Sequence, residues 1–361
     1  MESSLKRAFL LGVALAACSG SEGAVVTPQQ SCDATDWSAC RYVGEHHPVI
    51  ELSGGSVENP ALKRSIPALL RLPADSAGPL PVVIWSHGGG FDDAGQKLGA
   101  RWGQTIAAAG YLVIHVAHIV PSATQIATLC AELDIPPSEC SGEWSLPQVV
   151  RARDVSAVLD SLPKIGEWLS QKGGASLDTS RVAIAGWSAG SQPGLLLAGA
   201  RIELTPSLGF SSLDLRPSAS VALSPQGPGF SGFFADAAGS SWDEIQRPTL
   251  VLTGDNDIKP QNPDLLGSIR RQAWENLPGA DGRQRLLYSH IPAGVGEHGS
   301  YNLGDAQSSD ERLSRLSEAL SSTVRAFLDA ELKHSSEARD YVGSERPRSL
   351  AGTERSDWLA K

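Results

Sequence analysis

The feature of this 361-residue chain that most constrains its fold is a series of continuous apolar runs separated by helical patterns. The runs lack polar alternation, as expected for strands that are covered on both faces. Strands of this kind interleaved with helices indicate a mostly parallel sheet with helices on both sides, and hence an α/β fold. The runs are PVVIWSH (81–87), YLVIHVAH (111–118), RVAIAGW (181–187), ASVALSP (219–225), PTLVLTGD (248–255) and QRLLYSHI (284–291).

The apolar runs and the helical patterns between them divide the chain into segments. Helices are predicted over 97–109 and over 148–172, where Pro163 is able to kink or split the helix. A last helix is predicted where apolar residues recur at helical spacing from Leu313 to Leu332. The polar segment 19–60 is expected to be a tether or a loosely packed edge, the main domain to span 61–332, and the polar tail 333–361 to be frayed.

A serine stands where the third run gives way to a helical pattern. The sequence there is Gly186-Trp187-Ser188-Ala189-Gly190, a G-x-S-x-G motif between a buried strand and a helix. A sharp turn at such a junction leaves no room for side chains beside the serine, which explains the glycines. The turn places the serine oxygen above the sheet at the helix N-terminus, a position suited to a nucleophile. A plain glycine-rich turn or a phosphate-binding loop would not need the serine.

Partners for the serine follow in the chain order that is typical of α/β-hydrolases, namely serine, acid and histidine. The strand before Gly254 ends in a turn with two aspartates, and resemblance to the family pattern G-x-x-D selects Asp257, with Asp255 as the alternative. Three histidines follow the acid. His298 is preferred because it lies in a glycine-flanked loop, whereas His290 ends a strand and His334 lies beyond the last periodic helix. The predicted triad is therefore Ser188, Asp257 and His298.

An oxyanion hole is expected from a second glycine-rich stretch. The sequence His87-Gly88-Gly89-Gly90 follows an apolar run and resembles the HGGG loop of esterases and lipases. The predicted donors are the backbone N–H groups of Ala189 and Gly89, with Gly90 or Phe91 as alternatives to Gly89. His87 itself is expected to orient the loop.

Two insertions, 119–147 and 224–244, follow strands at the edge where α/β sheets bind ligands and are expected to form a small cap. Their aromatic residues either line an apolar acyl pocket or only anchor surface loops. The second insertion contains Trp242 as a further aromatic. The predicted pocket residues are Phe91, Trp187, Phe230, Phe233 and Phe234.

Short stretches beyond these motifs carry a narrower resemblance. They are R-x-x-D-V at 151–155, LSPQGPG at 223–229 and PTLVLTG at 248–254. Together with the G-x-S-x-G motif they resemble exported bacterial hydrolases related to dienelactone hydrolase and to platelet-activating-factor acetylhydrolase-like esterases. Dienelactone hydrolase uses a cysteine nucleophile, whereas this chain has Ser188 in that position, so the resemblance does not extend to its lactone substrate.

The N-terminus indicates export. A basic pair, a short apolar run and LAAC before residue 19 resemble a lipoprotein signal peptide over 1–18, with Cys18 as the lipidated residue. The alternative is an ordinary secretory peptide that is removed with Cys18. The predicted location is the bacterial cell envelope, at the outer membrane or in the periplasm, with secretion as the alternative. Release of a Cys18→Ser variant from membranes would test the anchor.

Four further cysteines in an exported chain suggest two disulfides, for which three connectivities are possible. Their close spacings favour Cys32–Cys40 and Cys130–Cys140. A zinc site is the weaker alternative, because the chain has no C-x-x-C pair and no histidine nearby at ligand spacing.

These patterns predict a serine hydrolase that cleaves carboxylic esters and needs no metal or cofactor. The expected partners are a small-molecule or lipid ester and the membrane that holds the anchor. The net charge of -10, without any basic run, argues against a nucleic-acid partner. The alternatives are a serine peptidase on the same fold and a lipid-tethered binding protein without activity.

Overall fold

The central sheet has nine strands, and the parallel ones lie at its centre. The computed structural model describes residues 36–76, 78–140, 145–172, 174–205, 208–235, 241–259, 261–279, 281–290, 296–304, 308–352 and 355–361. The strands are β1 (Val49–Asn59), β2 (Arg64–Pro73), β3 (Leu80–Ser86), β4 (Leu112–Val116), β5 (Leu177–Trp187), β6 (Arg201–Thr205), β7 (Leu208–Ser211), β8 (Ala219–Leu223), β9 (Thr249–Gly254), β10 (Arg285–His290) and β11 (Arg355–Ala360).

The strand order in the large sheet is β1-β2-β4-β3-β5-β8-β9-β10-β11, while β6 and β7 form a separate two-stranded sheet. The five pairings from β4 through β10 are parallel. The pairings of β1 with β2, β2 with β4 and β10 with β11 are antiparallel. The carboxyl ends of the parallel strands therefore share one edge of the sheet, where α/β proteins bind ligands.

Helices cover both faces of this sheet. They are α1 (Ala100–Ala108), α2 (Ala123–Glu132), α3 (Leu146–Gln171), α4 (Ser191–Leu197), α5 (Gly267–Glu275), α6 (Glu311–Leu332), α7 (Ser336–Val342) and α8 (Arg346–Ala351). Side chains of β3 alternate between two buried clusters, with Val82 and Ile84 on the face of α3 and α4, and Val83 and Trp85 on the face of α1 and α6. The chain is thus an α/β protein with a mostly parallel sheet, as the apolar runs predict.

The expectation of a frayed tail is wrong. Residues after Lys333 form α7, α8 and β11, and β11 closes one edge of the sheet by pairing with β10. Trp358 of β11 is nearly buried, and its indole N–H donates to the carbonyl oxygen of Val342 at 3.1 Å. The tail is polar because an edge strand and two short surface helices each bury only part of their side chains, so polar composition did not mean disorder.

The N-terminal segment and the long helix also differ from expectation in detail. The sheet begins with β1, inside the segment 19–60, so that segment supplies an edge strand. Pro163 lies inside α3, which runs as one helix from Leu146 to Gln171. A proline removes one backbone hydrogen bond from a helix, and the flanking turns of this helix continue across that gap.

Candidate active site

The turn after β5 holds Ser188 in a left-handed conformation, with φ of +56°. A Cβ atom on Gly186 would lie 2.0 Å from the carbonyl oxygen of Gly190, and one on Gly190 would lie 2.1 Å from the carbonyl oxygen of Ser86. Both positions therefore require glycine. An unfavourable φ at a non-glycine residue is a form of strain found at functional sites. The sharp strand–turn–helix predicted from the G-x-S-x-G motif is present.

Three side chains that are distant in sequence meet at this turn. The His298 Nε2 atom lies 2.9 Å from Ser188 Oγ, and His298 Nδ1 lies 2.7 Å from Asp257 Oδ1. Ser188 is 4% exposed and His298 6% exposed, while Asp257 is fully buried. The structure thus brings together the serine, histidine and aspartate that the sequence selects.

The alternative acid and histidine pair with each other instead. His290 Nδ1 lies 2.8 Å from Asp255 Oδ2, and the Tyr288 hydroxyl donates to Asp255 Oδ1 at 2.9 Å. His290 also faces Asp357 of β11 at 3.2 Å. His334 follows the end of α6, as the sequence indicates. Asp255 and His290 are therefore held in a separate cluster.

The carboxylate of Asp257 has further partners that sequence patterns did not identify. Thr253 Oγ1 donates to Oδ2 at 2.8 Å, and Ser224 Oγ donates to Oδ1 at 2.7 Å. Ser224 Oγ also lies 2.8 Å from His298 Nδ1. The buried guanidinium of Arg270 lies 3.3 Å from Oδ1 through its Nε atom. These contacts satisfy the oxygens of a carboxyl group that has no access to water.

Arg270 ties two turns together as well as facing the acid. Its guanidinium donates to the carbonyl oxygens of Asp257, Ser224 and Pro225 at 2.9–3.0 Å. The turn after β9 and the turn after β8 are therefore joined by one cation. The stretch LSPQGPG contains Ser224 and Pro225, so its resemblance to hydrolases was the signal in the sequence for this part of the site.

The loop after β3 lies directly against the serine turn. A Cβ atom on Gly88 would lie 2.4 Å from the indole ring of Trp187, the residue before Ser188. Gly89 has φ of +78°, which favours glycine. The N–H group of His118 donates to His87 Nε2 at 3.1 Å, so His87 Nδ1 carries the proton and donates to the Gly88 carbonyl at 2.8 Å. Burial lowers the pKa of His87 to about 4, and the ring is therefore neutral at pH 7.

The five predicted pocket aromatics have different surroundings. Trp187 packs on the imidazole of His298 at 4.8 Å between ring centroids. The guanidinium of Arg151 lies over the ring of Phe91, with its Cζ atom 5.7 Å from the ring centroid. Phe233 is buried against Trp242 at 4.7 Å, which anchors its loop, and Phe230 and Phe234 are only partly buried.

A cavity of about 280 Å³ lies beside this loop, lined in part by Phe233 and Glu203. Gln192, one helical turn after Ser188, donates to the carbonyl oxygen of Ser231 in the cavity wall at 2.7 Å. Residues 141–144 and 236–240 of the two insertions lie outside the described residues, so the predicted cap is described only in part.

A second serine–histidine–aspartate arrangement lies in the interior of the protein. His118 Nε2 is 2.8 Å from Ser86 Oγ, and His118 Nδ1 is 3.2 Å from Asp154 Oδ2. All three residues are completely buried, and burial holds the pKa of His118 well below its usual value. A substrate cannot reach Ser86 there. This cluster connects β3, β4 and α3 as part of the scaffold.

The cysteine predictions are resolved in part. The Cys130–Cys140 disulfide is present and closes the short segment after α2. Cys18 and Cys32 lie outside the described residues, so the anchor and the Cys32–Cys40 pair remain predictions.

Within the part of the chain that the structure describes, no helix is long and apolar enough to cross a membrane. No group of three or more histidine, cysteine or acidic side chains there could hold a metal ion. No family model matches the chain, and no curated protein matches it.

Proposed function

We propose that this protein is a serine hydrolase with the α/β-hydrolase fold, which cleaves carboxylic esters through an acyl-enzyme. The observation that carries the proposal is the contact of His298 Nε2 with Ser188 Oγ at 2.9 Å, with Asp257 behind the imidazole at 2.7 Å. A hydroxyl is a weak nucleophile until a neutral imidazole accepts its proton, and the buried carboxylate fixes the tautomer with the free electron pair on Nε2.

The chemical steps use these side chains in turn. Ser188 Oγ attacks the ester carbonyl carbon while its proton moves to His298 Nε2, and the oxygen of the tetrahedral intermediate carries the negative charge. His298 then donates that proton to the leaving alcohol, which departs and leaves an ester on Ser188. A water molecule that loses a proton to His298 attacks the acyl carbon, and the acid is released as His298 returns that proton to Ser188 Oγ. Asp257 stabilises the imidazolium in both halves of the reaction.

Backbone N–H groups near the serine are assigned to the oxyanion. Ala189 lies in the short helical turn that spans Ser188–Gly190, and free N–H groups at the start of a helix favour negative charge. The Gly89 loop packs against the same turn through Gly88 and Trp187. We assign Ala189 and Gly89 as the donors, with Gly90 and Phe91 as alternatives to Gly89.

The assignment to the α/β-hydrolase fold rests on motifs and chain order. Strand, G-x-S-x-G turn and helix, followed by an acid after β9 and a histidine after β10, reproduce the order of α/β-hydrolases. The resemblance to exported esterases of the dienelactone hydrolase and platelet-activating-factor acetylhydrolase-like groups adds an ester as the substrate class. We propose that the protein acts in the bacterial cell envelope, tethered through Cys18.

The protein offers an internal control for a test of the nucleophile. A fluorophosphonate probe, which reacts only with an activated and accessible serine, should label Ser188 and should leave Ser86 unlabelled, although both contact a histidine. Ser188→Ala should remove the labelling and the hydrolysis of short p-nitrophenyl esters while the far-ultraviolet circular dichroism stays unchanged. Mass spectrometry of the labelled peptide identifies the site.

Three results would reject the proposal: no labelling of the wild-type protein, labelling that persists in Ser188→Ala, or a peptide substrate cleaved faster than every ester. The first would favour a binding protein and the last a peptidase. If esters are cleaved, a series of p-nitrophenyl esters of increasing acyl length will define the acyl chain that the site prefers.

A further inference from the structure

Arg151 lies on α3, next to the loop that is assigned to the oxyanion hole. Its side chain is 2% exposed. The guanidinium donates to the carbonyl oxygens of His87 at 2.7 Å, Gly89 at 2.7 Å and Gly90 at 2.6 Å. Three acceptors from one four-residue stretch converge on a single buried cation. The R-x-x-D-V stretch, which the proposed mechanism does not use, therefore contacts the site through its arginine.

These hydrogen bonds determine where the N–H groups of the loop point. In a trans peptide the C=O and the following N–H point in opposite directions. Because the carbonyls of Gly89 and Gly90 face the guanidinium, the N–H groups of Gly90 and Phe91 face away from it. The Gly88 carbonyl is held by the His87 ring, which turns the Gly89 N–H away from that ring. Two side chains thus orient every candidate donor of the loop.

Helix α3, which carries Arg151, is itself anchored to the sheet by a second buried residue. Asp154, one turn later, accepts hydrogen bonds from Asn59 and from Arg64 and faces His118. Asp154 is fully buried, so this turn of α3 is held to β1, β2 and β4. Burial lowers the pKa of Arg151 to about 10, which still leaves the guanidinium charged at pH 7. A charged and rigidly supported donor is suited to holding a glycine loop that has little conformational preference of its own.

We propose that Arg151 is a positioning residue that, together with His87, holds the N–H groups of the 88–91 loop toward the oxyanion. Arg151 sets the peptides that carry the N–H groups of Gly90 and Phe91 and restrains Gly89 through its carbonyl, while His87 sets the peptide that carries the Gly89 N–H. The inference rests on the proposed esterase function. Arg151 does not touch the substrate and acts only through the direction of these peptides. It should therefore affect the step in which the carbonyl oxygen gains charge, and should leave the activation of Ser188 by His298 unchanged.

The test compares an ester with its thionoester, in which sulfur replaces the carbonyl oxygen. Sulfur is a weak hydrogen-bond acceptor, so an oxyanion hole favours the oxygen ester. In Arg151→Lys we expect kcat/KM for phenyl acetate to fall by about 10²-fold, the usual effect of losing one oxyanion donor. The kcat/KM for phenyl thionoacetate should fall much less, so that the ratio of kcat/KM for phenyl acetate to that for phenyl thionoacetate decreases.

Arg270→Lys is the matched control, because Arg270 is equally buried and also binds three carbonyls, but on the acid side of the site. Both substrates should slow by the same factor in that variant, and the ratio should be retained. Arg151→Gln serves as a second variant if Arg151→Lys does not fold, with folding monitored by circular dichroism.

The proposal is overturned if the Arg151 variants slow both substrates equally, or if both variants unfold, since Arg151 would then have a purely structural role. A wild-type protein that hydrolyses neither substrate and does not react with the fluorophosphonate would instead show that the proposed esterase function is wrong.

Discussion

Two aspartates that stand two residues apart allow a paired test of the acid. Asp257 contacts the histidine that reaches Ser188, whereas Asp255 contacts His290. We therefore expect Asp257→Asn to lower kcat strongly and Asp255→Asn to change it less than about threefold, since a substitution outside the machinery has a small effect. The two variants make the same chemical change in the same turn.

The size of the loss follows from the geometry. Arg270 Nε lies 3.3 Å from Asp257 Oδ1, so the amide oxygen of an asparagine should occupy that position and still accept from His298 Nδ1. The tautomer is then kept and only the negative charge is lost. An imidazolium and a carboxylate about 4 Å apart attract each other by about 4 kcal/mol at an effective dielectric constant of about 20. At 1.36 kcal/mol per factor of ten, kcat should fall about 10³-fold.

The assay is steady-state hydrolysis of p-nitrophenyl acetate, with the melting temperature of each variant measured in parallel. A loss near 10⁴-fold would mean that the amide nitrogen faces the ring and inverts the tautomer. A loss below tenfold in a folded Asp257→Asn variant, or equal losses in the two variants, would refute the assignment of Asp257 as the acid.

Two further predictions concern stability. Gly190→Ala would place a Cβ atom 2.1 Å from the Ser86 carbonyl oxygen, so urea unfolding should show a loss of about 3 kcal/mol, whereas Gly78→Ala, with open space around it, should stay within about 0.5 kcal/mol. Burial lowers the pKa of His87 to about 4 and that of His115 to about 3, so each of these two histidines binds a proton more readily in the unfolded chain than in the folded chain. These two groups should make the free energy of unfolding fall by about 2.5 kcal/mol per pH unit near pH 5 as the pH is lowered, and a pH-independent urea midpoint between pH 7 and 5 would contradict this.

The central part of the fold was predictable because its strands are buried on both faces. Continuous apolar runs led to β3, β4, β5, β8, β9 and β10, and helical periodicity led to α1, α3 and α6. The edges were missed for the opposite reason. β11 is half exposed and pairs with β10 across about 65 residues of chain, so neither its composition nor a local turn marks it as a strand.

The same difference between local and non-local signals separates the site residues that were predicted from those that were not. Ser188 and its flanking glycines were identifiable because a strained turn leaves a local mark in the sequence, and chain order supplied Asp257 and His298. Arg270 lies in no motif, and the R-x-x-D-V stretch singles out Arg151 without indicating what it contacts, since each arginine binds backbone carbonyls of turns that are distant in sequence. Any residue type can present a carbonyl, so these contacts impose no residue pattern on the loops that they hold. The reacting groups of this site are side chains that motifs and chain order identify. Its geometry also depends on two guanidinium groups, those of Arg151 and Arg270, which bind backbone carbonyls, and these contacts are seen only in the structure.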